Sequence, residues 1–189
     1  MRNAAVSTPC KKRIIYRVTV LTAVFGLSIL GCGRETTPTA AKPTVEIAPT
    51  KIDRQGLADA VAQNRGKVVL VEFWATWCAP CVKLFPHTVE LHERLADHGF
   101  VVIAVSMDDT DNQEAALRFL RNRQAKSENY ISQYGLGSEG FTAFDITDGA
   151  LPHLKLYDRD GRLQETFASG GQPLEPEQID RAVEELLKQ

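Results

Sequence analysis

Two cysteines separated by two residues, Cys78 and Cys81, close the apolar run Val68-Val-Leu-Val-Glu-Phe-Trp-Ala-Thr-Trp-Cys-Ala-Pro-Cys81. Past Cys81 the sequence turns helical, which puts the pair at a strand-to-helix junction with Pro80 in the first turn, where a missing N–H removes no hydrogen bond. Cys78 then falls at the helix N-terminus, where orphan N–H groups and the macrodipole favour a thiolate. Three residues on, Cys81 returns to the same face within disulfide reach. One thiol can attack a disulfide and the other resolve the product. Half of a zinc site is the competing chemistry, but it needs two more ligands: there is no second C-x-x-C, and His87, His92, His98 and His153 show no ligand spacing near the pair. No metal and no organic cofactor are expected.

A single carboxylate interrupts the run: Glu72, six residues before Cys78. In a buried strand, desolvation raises its pKa and makes it a proton acceptor for Cys81; at a sheet edge it would only face solvent. Trp74 and Trp77 read as packing and site-lining residues, Trp77 beside the nucleophile. The histidines read as surface residues, with His153 the one near the site.

Positioning this pair requires strands and helices in alternation. Asp53 caps a helix running to about Asn64, Val68–Ala75 is a strand buried on both faces, and a helix from about Ala79 carries Leu84, Val89, Leu91 and Leu95 to a Gly99 stop, with Pro86 as a kink. Phe100–Ser106 reads as a second buried strand and Asp111 as the start of another amphipathic helix. Tyr130–Tyr134 reads as an edge strand and Phe141–Ile146 as a short helical turn. Leu154–Tyr157, the turn Asp158-Arg-Asp-Gly161 and Leu163–Ala168 form a hairpin, and Pro176 opens a last helix with Ile179, Val183, Leu186 and Leu187 inward. The expected fold is α/β, a mixed central sheet flanked by helices.

Of 189 residues, 43% are hydrophobic and 24% charged, enough for one full core, and a net charge of −2 gives no basic field for nucleic acid. The other two cysteines, Cys10 and Cys32, lie in a stretch with an export pattern. Lys11–Arg13 and Arg17 precede about 13 apolar residues, Val18–Leu30, too few to span a membrane comfortably, and Ile29-Leu-Gly-Cys32 follows. Residues 1–32 read as a signal peptide with lipoprotein-type cleavage and lipidation at Cys32; an uncleaved short anchor is the other reading, and both put the rest outside the cytoplasm. Residues 33–50, rich in Thr, Ala and Pro, read as a flexible tether, and 51–189 as the folded domain.

The chain resembles thioredoxin-like thiol–disulfide oxidoreductases, most closely the membrane-tethered extracytoplasmic reductases of the cytochrome c maturation type. Phe73-Trp-Ala-Thr-Trp-Cys-Ala-Pro-Cys81, Pro86 and Leu151-Pro152 carry the resemblance. It implies a thioredoxin fold with an insertion at about 111–147, Cys78 as attacking and Cys81 as resolving thiol, and Pro152 as a cis-proline. Leu151 would then offer its backbone to an extended substrate beside Trp77, and Glu72 stands where thioredoxin carries an aspartate. Without a histidine at Ala79-Pro80, a reducing potential is expected, nearer about −270 mV than about −120 mV. The implied partners are disulfide-containing proteins, apocytochrome c among them, a membrane thiol-electron transporter, and the membrane through the lipid anchor. A soft-metal module delivering Cu(I) is the alternative, although relatives of that kind separate their cysteines by three residues.

Overall fold

The computed structural model describes residues 47–170 and 172–189. The signal-peptide and Cys32 readings, and the tether up to residue 46, lie outside the described residues.

Seven residues from Val68 to Trp74, rich in β-branched and aromatic types, form β2, and every one is buried. A strand covered on both faces must have neighbours on both edges and helices on both sides. It has them. Phe100–Ser106, equally buried, is β3 and pairs parallel with β2 from Val68↔Phe100 to Trp74↔Ser106. His153–Tyr157 is β5 and runs antiparallel on the other side, Phe73 opposite His153 and Val69 opposite Tyr157. With β1 (Thr50–Ile52), β4 (Glu128–Ser132) and β6 (Leu163–Ala168), the sheet has six strands in the order β1-β4-β3-β2-β5-β6. The expected mixed sheet is observed.

Two local expectations change. Tyr130–Tyr134 does not make an edge strand: β4 spans Glu128–Ser132 and is covered on its outer side by β1, a parallel strand at the junction of the stretch read as tether and the folded domain. Pairing with β4 converts Thr50–Ile52 into a strand that its own three residues do not announce, and Ile47 already packs against the core. The short helix near Phe141–Ile146 begins earlier, at Ser138, and runs to Ala143 as α4.

The alternation of β2 sorts the core into two sides. Val69, Val71 and Phe73 face Leu57, Ala60 and Val61 of α1 (Arg54–Gln63) together with Phe144 and Ile146. Val68 and Leu70 face Leu84 and Leu91 of α2 (Ala79–Leu95) and Ile179 and Val183 of α5 (Pro176–Leu187). Asp53 caps α1, its Oδ1 accepting from Gly56 N–H at 2.7 Å. A left-handed turn at Gly99, φ 84°, ends the segment after α2 and feeds β3. The α2 helix continues through Pro86.

Above the site end of β2 lies a third cluster. Trp74 stacks on Phe85 of α2 at 4.8 Å between ring centres and on Phe119 of α3 (Gln113–Asn122) at 4.7 Å, with Phe85 and Phe119 5.1 Å apart. Ala116 and Leu120 of α3 complete it around Cys78 and Cys81. Aromatic pairs at these separations add about 0.5–1.5 kcal/mol each beyond their buried area, so the floor beneath the cysteines is held by more than apolar burial alone.

Candidate active site

Cys78 ends the turn after β2 as the N-cap residue of α2, and its N–H donates to Ala75 O at 3.2 Å. The helix begins here because Ala79 and Pro80 supply a favourable first turn and Cys78 takes the extended backbone that a cap requires. Cys78 and Cys81 are joined by a disulfide. The Cys81 N–H donates to Cys78 Sγ at 3.3 Å, so one of the orphan donors of the helix start points at the first sulfur. The two cysteines differ in access: Cys78 is 5% exposed and Cys81 0%. Trp77, at 51%, stands out beside them as one of three large apolar side chains exposed among the described residues.

The Leu151–Pro152 peptide is cis. Its position follows from the β2–β5 register: β5 starts at His153 opposite Phe73, near the end of β2, so the residues just before β5 arrive at the cysteine turn. Leu151 packs against the cluster that contains Cys78 and Cys81. Trp77, the disulfide, Leu151 and Pro152 therefore come together at one end of the sheet.

Glu72 lies below them, fully buried. It occupies the face of β2 that looks toward α2, where Thr88 Oγ1 donates to its Oε2 at 2.6 Å; Oε1 has no hydrogen-bond partner. Burial pushes the carboxyl from 4.5 up to about 7, opposed by the Thr88 hydrogen bond. The buried face of α2 carries Cys81, Phe85 and Thr88 in succession. Seven residues at 1.5 Å each set Thr88 about 10 Å along the helix from Cys81, and Glu72 is bonded at the Thr88 end of that interval.

His153 corrects the reading of the histidines as surface residues. It is 2% exposed on β5 and faces the side of the sheet away from α2, its ring 6.1 Å from that of Phe73. The alternation of β5 demands this, since Leu154 and Leu156 already fill the opposite face. Nδ1 stands 3.3 Å from Asp148 Oδ1, close enough for ion pairing but without hydrogen-bond geometry at either ring nitrogen. Burial lowers its pKa, with Asp148 opposing and Lys155 adding to the shift. His92 is partly buried as well, its Nδ1 accepting from Val102 N–H at 3.3 Å. On the same side as His153, Lys155 is buried and donates to Phe144 O at 2.8 Å, fastening the end of α4 to the sheet.

Two residues beside the site escaped the sequence reading. Thr88 is the one hydroxyl on the buried stripe of α2, a signal available from the helical period. Asp108, two residues past β3, is fully buried and bonded to Thr76; an acidic pair at the carboxyl end of a buried parallel strand is where such sheets put functional loops. Among the described residues no group of three or more His, Cys, Asp or Glu is placed to hold a metal ion, and no helix is long and apolar enough to cross a membrane.

Comparison with known proteins adds to this geometry. The family model described as Redoxin matches residues 44–183. The Thiol-disulfide oxidoreductase ResA of Bacillus anthracis is 29% identical over 168 residues, 82% of this chain and 87% of that protein. The protein of the same name from Geobacillus kaustophilus is 22% identical over 189 residues, 93% and 97% of the two chains. Among solved structures, a putative thiol:disulfide interchange protein DsbE from Chlorobium tepidum gives a TM-score of 0.55 at 23% identity, covering 67% of this chain and 84% of its own. A secreted Mycobacterium tuberculosis disulfide oxidoreductase gives 0.54 at 15% identity, covering 66% and 86%. At these identities the structures share a fold with this chain.

Proposed function

The chain belongs to the redoxin family and is a thiol–disulfide oxidoreductase of thioredoxin fold; on that footing we propose that it works outside the cytoplasm as a reductase of protein disulfides. The observation that carries this reading is the asymmetry of the cysteine pair. Cys78 is the more accessible of the two and stands at the helix N-terminus, while Cys81 is wholly buried behind it. A thiolate at Cys78 gains from the orphan N–H groups and the dipole of α2, which raises the reactive fraction at neutral pH.

In the reduced enzyme, the Cys78 thiolate attacks one sulfur of the substrate disulfide, the S–S bond breaks, and the leaving thiolate takes a proton. The substrate is now held through a mixed disulfide. Cys81 loses its proton, attacks the Cys78 sulfur and releases the second substrate thiol, leaving the Cys78–Cys81 disulfide. Two electrons have passed to the substrate. Glu72 is the proposed acceptor of the Cys81 proton: its unpartnered Oε1 is free to bind it, directly or through solvent, and a carboxyl that titrates near neutrality suits a base at that pH. Trp77 and the backbone of Leu151, ahead of Pro152, form the surface on which an extended substrate lies.

The disulfide must be reduced again by an outside dithiol. A membrane thiol-electron transporter is the partner proposed for that step, and apocytochrome c is a candidate substrate. The lipid anchor at Cys32, the tether from 33 and the domain beyond it belong to the same proposal and rest on the export pattern of residues 11–32. An insulin-reduction assay on the domain beside a Cu(I) titration tests the function. Insulin turnover supports the reductase; tight Cu(I) retention without turnover would support a delivery module in its place.

A further inference from the structure

Just past β3, Asp108 is a fully buried carboxylate that the redox chemistry above does not use. It accepts from Thr76 N–H at 3.1 and 3.2 Å, from the Thr76 hydroxyl at 2.6 Å and from the Ser106 hydroxyl at 2.7 Å. Its own N–H donates to Ser106 Oγ at 3.1 Å. Both carboxyl oxygens act only as acceptors, the pattern of an ionised group. A buried carboxylate is costly unless it is bonded in this way, so the contact with Thr76 is strong and hard to give up.

Thr76 sits inside the turn that Cys78 N–H closes on Ala75 O. The residue just past β3 is tied to the same place, Met107 N–H donating to Trp74 O at 2.7 Å. Asp108 thus grips the turn that holds out Trp77 and delivers Cys78 to the start of α2. Thr76 and Cys78 are two residues apart, at most about 7.6 Å between Cα atoms. The carboxylate lies one hydrogen bond beyond Thr76 N–H, at most about 15 Å from the sulfur by chain geometry, and in a water-poor setting its charge opposes a second negative charge there, against the pull of the helix N-terminus.

We propose that Asp108 is a positioning residue of the redox site: its carboxylate fixes the Thr76 turn, and its charge restrains thiolate formation at Cys78. The inference rests on Cys78 being the attacking thiol. It deepens that reading by naming what sets the reactivity of the thiol.

Two substitutions with opposite expected signs test it. Asp108→Asn keeps the shape and an acceptor for Thr76 but removes the charge, so the apparent pKa of Cys78 falls, by on the order of one pH unit. Alkylation of the reduced protein at pH 6, read at the Cys78 peptide by mass spectrometry, then speeds up by up to about tenfold. Thr76→Val removes a hydroxyl that offsets the carboxylate charge, so the apparent pKa of Cys78 rises and alkylation at pH 6 slows. Loosening of the turn alone would move both variants in the same direction. Opposite shifts support the proposal; shifts of one sign, or none, overturn it. If urea melts show that Asp108→Asn does not fold, Thr76→Val and Thr76→Ser decide together: a rise in the first that the retained hydroxyl of the second abolishes supports, and no change, a fall, or a rise in both overturns. Wild-type protein that reduces no insulin would sink the reductase reading, whereas the Cys78 titration stays readable in either case.

Discussion

Thr88 Oγ1 lies 2.6 Å from Glu72 Oε2 and 2.9 Å from Phe85 O, so one hydroxyl faces two acceptors. It has a single proton to give. When Glu72 is ionised, that proton goes to the carboxylate; when Glu72 is protonated, its own O–H donates to Thr88 and the Thr88 proton returns to Phe85 O. The direction of the hydrogen bond thus reports the charge on Glu72. The bond donated by Thr88 favours the ionised form, and burial, the larger effect, favours the protonated one.

Glu72→Gln therefore changes how stability depends on pH. The folded carboxyl titrates at about 7 against 4.5 unfolded, so the folded state holds a proton between those values that the unfolded state releases. With a raised pKa, stability is greatest below 4.5 and falls as pH rises through 7, a difference of roughly 3 kcal/mol. Urea melts from pH 4 to 8 should show this decline in the wild type and its loss in Glu72→Gln, which becomes the more stable protein at pH 8. The same variant should resolve the mixed disulfide about 10²–10⁴ times more slowly, with first attack little changed. Resolution at the wild-type rate would mean that the proton leaves by another route.

Thr88→Val removes the hydrogen bond that lowers the Glu72 pKa, so the carboxyl should titrate at higher pH than in the wild type. Stopped-flow resolution rates against pH should show the Glu72 limb displaced upward. A profile that does not move would separate Thr88 from the proton path.

Cys81→Ser should accumulate substrate as a mixed disulfide on Cys78, because attack proceeds and resolution cannot. Cys78→Ser should trap none at the site, the remaining thiol there, Cys81, being wholly buried. Non-reducing gels with insulin distinguish the two, and equal trapping would overturn the assignment of roles.

Cys32→Ser should release the protein from the membrane fraction with its insulin reduction intact. Detergent partitioning checks this; a variant still bound to membranes would point to the uncleaved anchor.

The site was legible where local sequence and tertiary demand coincide. β2 and β3 are seven-residue apolar runs that only burial on both faces explains, and the cysteines follow the first of them directly. β1 was not legible, because Thr50-Lys-Ile52 becomes a strand only by pairing with residues about 80 positions away. The same absence made β4 look like an edge. His153 has the polarity of a surface residue, and nothing but its place opposite Phe73 buries it. Asp108 was hidden for a related reason: a carboxylate after a strand reads as solvated until its donors, Thr76 and Ser106, are known.

The meeting of Cys78 with Leu151 and Pro152 is settled by the ladder between β2 and β5, Phe73 against His153, and by nothing in the chain that connects them. The chain between β4 and β5 can therefore lengthen or shorten without moving the reactive pair, provided that the two strand ends stay in register, since loop growth costs little free energy. Such an arrangement separates the evolution of partner choice from that of the chemistry. It also marks residues 133–150, which lie between β4 and β5, as the place to graft foreign recognition loops onto a working redox centre.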